Sequence, residues 1–288
     1  MNRGRPAAAP SSRASCSTLI PANGDTLPVV PKVSVIVITK NEAANLAEAL
    51  ASVAWADEVI VVDAESTDDT VAIARQHTPH VHVRPWPGYS AQKNYAASLA
   101  THDWILSIDA DERVTPELAR EIRTLMSAAN GAEPAARGYR IPRVTWVFDR
   151  LLRTTDWYPD WQLRLYDRRV GRWNGRRVHE SVTLDAKANG KFEPEKLTQE
   201  LLHYGYKGIA HHVETINRYT TLAAEDMAER GRRASVLDLF AQAPLAFVRN
   251  YLLKGGIKDG RVGLVLSLMN SYYVLLKYVK LWELRRQR

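Results

Sequence analysis

The sequence predicts an α/β protein: a mostly parallel sheet flanked by helices, followed by a helical C-terminal extension. A β-branched run at residues 33–39, VSVIVIT, has the composition of a strand buried on both faces. Apolar strands and helical segments then alternate up to residue 109, the pattern of right-handed βαβ crossovers. From residue 207 onward the apolar periodicity is helical only.

Bulk properties set the bounds. A chain of 288 residues, 45% hydrophobic and 25% charged, buries a substantial core and is not globally disordered. The excess of 39 Lys+Arg over 32 Asp+Glu, a formal charge of +7, favours acidic partners such as anionic lipid or phosphorylated substrates. A single cysteine, Cys16, supports neither a disulfide framework nor a cysteine-based zinc site, so a reducing, cytoplasmic location is expected. Residues 1–31 mix Arg3, Arg5 and Arg13 with Ala, Pro and Ser and contain no secretory apolar segment, which reads as a flexible tail.

The elements follow in order. After the strand at 33–39 comes a helix over 41–53, with Leu46, Leu50 and Val53 at helical spacing, then a second strand at 58–63. A helix over 67–76, a strand at 80–84, a helix over 90–100 and a strand at 104–109 continue the alternation. Thr115 and Pro116 supply the N-cap and first position of a helix that Asn130-Gly131 ends. Residues 138–206 form shorter strands and loops rich in Trp, Tyr and Arg. Helices are expected over 209–229, 244–254 and 263–286, with Gly255, Gly256 and Gly260 separating the last two.

Ligands of an open parallel sheet bind outside the carboxyl ends of its strands. In this chain those ends carry Thr39 and Glu42, then Asp63, then Asp109-Ala110-Asp111 and Glu112. Carboxylates delivered to one crevice repel one another unless a cation shares the space. Asp109 and Asp111 are hard oxygen ligands, and Mg²⁺ or Mn²⁺ held by one or two carboxylates leaves positions for diphosphate oxygens. A D-x-D triplet alone more often opens a loop; its place after an apolar strand beside Glu42 and Asp63 is what gives it weight.

The segments VSVIVITKNE at 33–42, VVDAESTD at 61–68 and LSIDADE at 106–112 resemble the inverting glycosyltransferases of family 2. The similarity is strong over residues 33–115. Later motifs, WNGRRVHE at 173–180, NRY at 217–219 and KGGIKDG at 254–260, resemble the lipopolysaccharide-core β-glucosyltransferase group. The resemblance implies the GT-A fold, with a catalytic domain at 32–206 (donor half 32–115, acceptor half 116–206); composition adds a disordered tail at 1–31 and a helical, membrane-associating region at 207–288. It implies that Thr39, Glu42, Asp63, Lys93 and Asp109 bind a UDP-sugar donor, and that Asp109 and Asp111 share the metal. The chain departs from the pattern at Asp63-Ala64, where many relatives carry two successive aspartates.

Transfer with inversion needs a carboxylate base for the acceptor hydroxyl besides the groups that hold the metal. Glu180 is the favoured base and Asp160 the second choice; an ion pair of Glu180 with Arg176 or Arg177 is the competing reading. His179 reads either as a third metal ligand or as a loop hydrogen bonder. The arginines between 140 and 177 suit an anionic acceptor or a solvated face, and Trp146, Trp157, Tyr158, Trp161 and Trp173 suit sugar stacking or core.

The implied function is transfer of glucose from UDP-glucose to a lipid-linked saccharide such as the lipopolysaccharide core. The uncharged run at 262–276 is shorter than a bilayer span, so its basic and aromatic flanks point to peripheral attachment on the anionic cytoplasmic face of the inner membrane. No nucleic-acid partner is expected. A dinucleotide enzyme is disfavoured because no G-x-G-x-x-G follows residue 39. The alternative of another class is a non-catalytic glycolipid- or anion-binding protein on the same scaffold.

Overall fold

The structure, a computed structural model, describes residues 31–128, 133–175, 180–185 and 192–286. Its first half is the expected alternation: β1 (Val33–Thr39), α1 (Ala43–Ala51), β2 (Glu58–Asp63), α2 (Thr70–His77), β3 (His80–Val83), α3 (Tyr89–Leu99) and β4 (Trp104–Asp109). A short strand β5 (Glu112–Val114) and helix α4 (Pro116–Ala128) come next. Thr115 caps α4 as expected, its Oγ1 accepting from the Leu118 amide at 3.1 Å.

The second half adds β6 (Gly138–Val147), β7 (Arg150–Leu152), β8 (Asp160–Asp167), β9 (Gly171–Trp173), β10 (Val182–Leu184), β11 (Glu195–Lys196) and β12 (Leu201–His203). Three long helices close the chain: α5 (Ile209–Glu229), α6 (Val236–Val248) and α7 (Gly260–Arg286). The main sheet runs β3-β2-β1-β4-β8-β6-β12-β5. Strands β3, β2, β1 and β4 are parallel, whereas β8 is antiparallel to both β4 and β6, so the sheet is parallel from β3 to β4 and mixed beyond it.

Burial explains the composition of β1. All seven of its residues are buried. Val35 and Val37 join the core that α1 and α4 cover, with Leu46, Leu50, Leu118 and Ile122. Ile36 and Ile38 join the core under α3, with Ala96, Ala97 and Tyr166. A strand covered on both faces has no polar side, which is why its sequence does not alternate. The chain leaves β1 toward β2 on one side and returns as β4 on the other, so the carboxyl ends of β1 and β4 bound a crevice.

The C-terminal region differs from the sequence expectation. Helix α6 begins at Val236, behind a capping box in which Ser235 Oγ accepts from the Asp238 amide and the Asp238 carboxylate accepts from the Ser235 amide. Pro244, expected as a first helical residue, lies inside α6, and 249–253 forms a π-helical turn after it. The serine three residues before an aspartate was the stronger start signal. Helix α7 begins at Gly260 instead of 263, and a Cβ on Gly263 would sit 1.8 Å from the Gly256 carbonyl oxygen, so only glycine admits this packing. The run Gly256–Arg286 is, by length and composition, the one helix among the described residues long and apolar enough to cross a membrane; the uncharged count over 262–276 understated it.

Candidate functional site

Register brings the expected residues to one edge. Thr39 at the end of β1 lies opposite Asp63 of β2, and Ile38 opposite Asp109 of β4. Outside this edge is a cavity of about 440 Å³ lined by Thr39, Lys40, Glu42, Trp86, Tyr89, Lys93, Asp109, Asp111, Glu180 and His203, among others.

Asp109 sits in a ladder of charges that alternate in sign. Its Oδ1 is 2.9 Å from Lys93 Nζ and its Oδ2 is 2.6 Å from Arg164 Nη2. The same Arg164 nitrogen lies 2.6 Å from Glu112, which is fully buried and also binds Arg143 at 3.0 Å. Arg143 in turn holds Asp160 at 2.6 Å. Burial alone would raise the Asp109 carboxyl, but Arg164 and Lys93 overcome it and hold the group far below the usual carboxylate range. Lys93 is itself confined, with its Nζ 4.2 Å from the Trp173 ring centroid.

Asp111 follows in the turn between β4 and β5, and its Oδ2 lies 3.4 Å from His203 Nε2. Burial pushes its carboxyl up; the His203 hydrogen bond and charge outweigh that and bring it down. Pairing of β12 with β5, His203 opposite Glu112, delivers the imidazole. Gly205 permits the approach, because a Cβ there would lie 2.4 Å from His203 Nε2 and 2.7 Å from Asp111 Oδ2.

Glu180 faces the same cavity, and its carboxyl is raised, chiefly by burial, with Asp109 adding to the effect and Lys93 opposing it. Thr39 lines the cavity, and its Oγ1 is buried without a hydrogen-bond partner among the described residues. Glu42 Oε2 accepts from Asn45 Nδ2 at 2.8 Å, and its Oε1 is 3.5 Å from Lys207 Nζ.

Two expected residues stand apart from the cavity. Asp63 is fully buried and absent from its lining, and its carboxylate accepts from the Ser66 amide at 2.7 Å and hydroxyl at 2.5 Å. Asp160 is also absent from the lining; Arg143 Nε and Nη2 both donate to its Oδ2, at 2.9 and 2.6 Å, which leaves Glu180 as the candidate base that reaches the cavity. His179, Arg176 and Arg177 lie outside the described residues.

Many of the expected acceptor arginines are neutralised by neighbours: Arg143 and Arg164 in the ladder, Arg153 by Glu200, Arg169 by Asp167, Arg172 by Asp185. Trp173 is core, whereas Trp146 is exposed and stacks on Tyr204 with centroids 6.0 Å apart.

Sequence reasoning missed His203, Trp86 and Tyr89. His203 ends a three-residue strand too short to show a period. Trp86 and the 57% exposed Tyr89 meet edge-on at 4.7 Å in the segment after β3, where the rule about strand ends would have found them.

Among the described residues no three His, Cys, Asp or Glu side chains form a ready-made metal cage. Both Asp109 oxygens are already engaged by cations, so Asp111 with His203 is the freer donor pair. One carboxylate and one imidazole suit a divalent ion whose other positions go to diphosphate oxygens and water.

The model for glycosyl transferase family 2 matches residues 34–181. A protein of Rickettsia felis described as an uncharacterized glycosyltransferase is 33% identical over 265 residues, covering 88% of this chain and 90% of its own. The lipopolysaccharide core biosynthesis glycosyltransferase LpsC of Rhizobium meliloti is 27% identical, covering 88% and 94%. Among solved structures, a mannosyltransferase from Pyrobaculum calidifontis in complex with GDP-Man and Mn²⁺ superposes with a TM-score of 0.50 at 16% identity, over 88% of each chain, a likeness of fold.

Proposed function

Because the chain belongs to glycosyl transferase family 2, we propose that it moves a sugar, glucose, from a UDP-sugar to a lipid-linked saccharide of the lipopolysaccharide-core type, by inverting single displacement. The observation that carries this reading is the single cavity that joins Asp109, Asp111, Lys93 and Glu180 at the carboxyl edge of the sheet. The likeness to LpsC over nearly the full chain supports the acceptor class.

In this reading Asp111 and His203 hold Mg²⁺ or Mn²⁺, with Asp109 beside them on the ribose. The ion supplies charge neutralisation for the departing nucleoside diphosphate. Lys93 adds a fixed positive charge in a buried setting, where it acts more strongly than in water. Glu42 binds the nucleoside with Thr39 beside it at the end of β1, Asp63 shapes the turn behind it through Ser66, and Trp86 and Tyr89 offer stacking faces at the exposed side.

Glu180 takes the proton of the acceptor hydroxyl. Its raised carboxyl suits a base that must accept that proton as the bond to the anomeric carbon forms. A lipid-linked acceptor requires the enzyme at a membrane, here the anionic cytoplasmic face of the inner membrane.

The test is transfer from a panel of UDP-sugars to lipid-core acceptors of defined truncation, with and without Mg²⁺ or Mn²⁺. Transfer of glucose from UDP-glucose to one truncation supports the reading; donor and acceptor binding without any transfer would favour a non-catalytic binder.

A further inference from the structure

The outward side of α6 is apolar where a soluble helix is polar. Val236, Leu237 and Phe240 are 72, 73 and 76% exposed, and Leu245 and Val248 continue the face at 61 and 43%. At 100° per residue these five positions span half of the helix circumference, and Ala243, Ala246 and Asn250 point the other way, into the protein. The one acidic residue of α6, Asp238, is held in the capping box and does not interrupt the face. Beyond it the π turn exposes Leu252 and Leu253, at 54 and 78%.

Helix α7 packs between α5 and α6 and repeats the pattern. Its exposed residues include Leu264, Leu268, Tyr272, Leu275, Val279 and Trp282, at intervals of three and four that keep them on one stripe. Isolated soluble proteins rarely leave apolar surface of this extent uncovered.

The rim of this surface says what covers it. Arg233 precedes the face, Lys258 and Arg261 follow the π turn, and Arg286 ends α7; none has a carboxylate within 4.0 Å among the described residues. Two copies of the chain meeting through this face would set like charges against each other around a two-fold axis. An anionic surface neutralises them.

We infer that the outward face of α6, continued by the α7 stripe, is the docking surface for an anionic lipid bilayer, with α6 lying in the interfacial plane. This deepens the membrane reading given above by naming the element that enters the lipid. In-plane docking also accounts for α7: its apolar length meets that of a crossing helix, yet its Lys280 ammonium is bound by the Asn217 carbonyl, Thr220 and Thr221 of α5, and its Asn270 by Asp156. A helix tied to the soluble body on those sides lies along the membrane and does not cross it.

The test is flotation with vesicles of phosphatidylglycerol and phosphatidylcholine, compared with phosphatidylcholine alone, in the absence of donor and acceptor. Vesicle binding is therefore scored separately from glycosyl transfer, and either can fail without the other. The full chain is expected to float with the anionic vesicles and to be released by salt. The double variant L237D/F240D, with thermal melting unchanged, is expected to lose about a hundredfold in vesicle partition. Should that variant fold poorly, the exposed pair K258E/R261E is expected to weaken anionic binding by about tenfold. Absence of flotation at low salt, or equal flotation by variants and parent, would overturn the proposal. So would a dimer in solution that L237D/F240D converts to a monomer without any change in flotation.

Discussion

Lys93 Nζ lies 2.9 Å from Asp109 Oδ1, and both residues line the cavity although the lysine side chain is only 3% exposed. A buried ammonium is costly unless paired, and here a carboxylate and the face of Trp173 pair it. In the proposed function the same charge also meets the donor diphosphate, so Lys93 is expected to serve both folding and donor binding.

Lys93→Met therefore leaves Asp109 with Arg164 alone. Loss of about 3 kcal/mol of stability is expected by urea unfolding, together with at least about tenfold weaker UDP binding. Full UDP affinity would remove Lys93 from the donor site.

Glu180→Gln separates activity from stability. A fall of about a hundredfold to ten-thousandfold in kcat, with little change in the KM for donor, is expected. The folded carboxyl is raised, so the folded state binds the proton more tightly than the unfolded one. Stability from this group is present below 4.5 and is lost as pH rises above that value through the raised folded one. The glutamine variant should thus be at least as stable at pH 7, and the acidic limb of its pH–rate profile should disappear. A variant that keeps that limb would point to another base.

Gly205→Ala places a methyl group 2.4 Å from the present position of His203 Nε2. The imidazole must turn away from Asp111, so about tenfold more Mn²⁺ should be needed for half-maximal activity, with the fold retained. Unchanged metal demand would exclude His203 as a ligand.

Asp156 ties the segment before β8 to the C-terminal helices through Arg249, Lys254, Asn250 and Asn270. Burial opposes its ionisation, but Lys254, Asn250 and Arg249 bring it from 3.8 down to about 2. Stability from this carboxylate is complete above its unfolded value and is lost as pH falls from about 4 to about 2. Asp156→Asn should cost about 2 kcal/mol at neutral pH and flatten that acid limb in urea titrations. An acid limb that persists would place the linkage elsewhere.

The donor half was legible because each of its signals is local. The β-branched strand, the helix period and the acidic strand ends are each read within a short window of sequence, and strand pairing then sets Thr39 opposite Asp63 and Ile38 opposite Asp109. The acceptor half was not. His203 reaches Asp111 only through a three-residue strand paired far from it in sequence, and Glu112 looks like part of the acidic triplet until its burial under Arg164 and Arg143 is seen. Asp160 and Asp63 carried the right chemistry in the sequence, but neighbouring donors occupy their carboxylates. Pro244 misled because an exposed proline inside α6 resembles a helix start.

Asp111 is the proposed ligand of a divalent metal that binds together with the donor diphosphate. Calorimetric titration of UDP into the protein, with and without Mn²⁺, tests it most directly in wild type and Asp111→Asn. Binding is expected to require Mn²⁺ in the wild type and to fall at least about tenfold in the variant. Metal-dependent binding of equal strength in both proteins would contradict it.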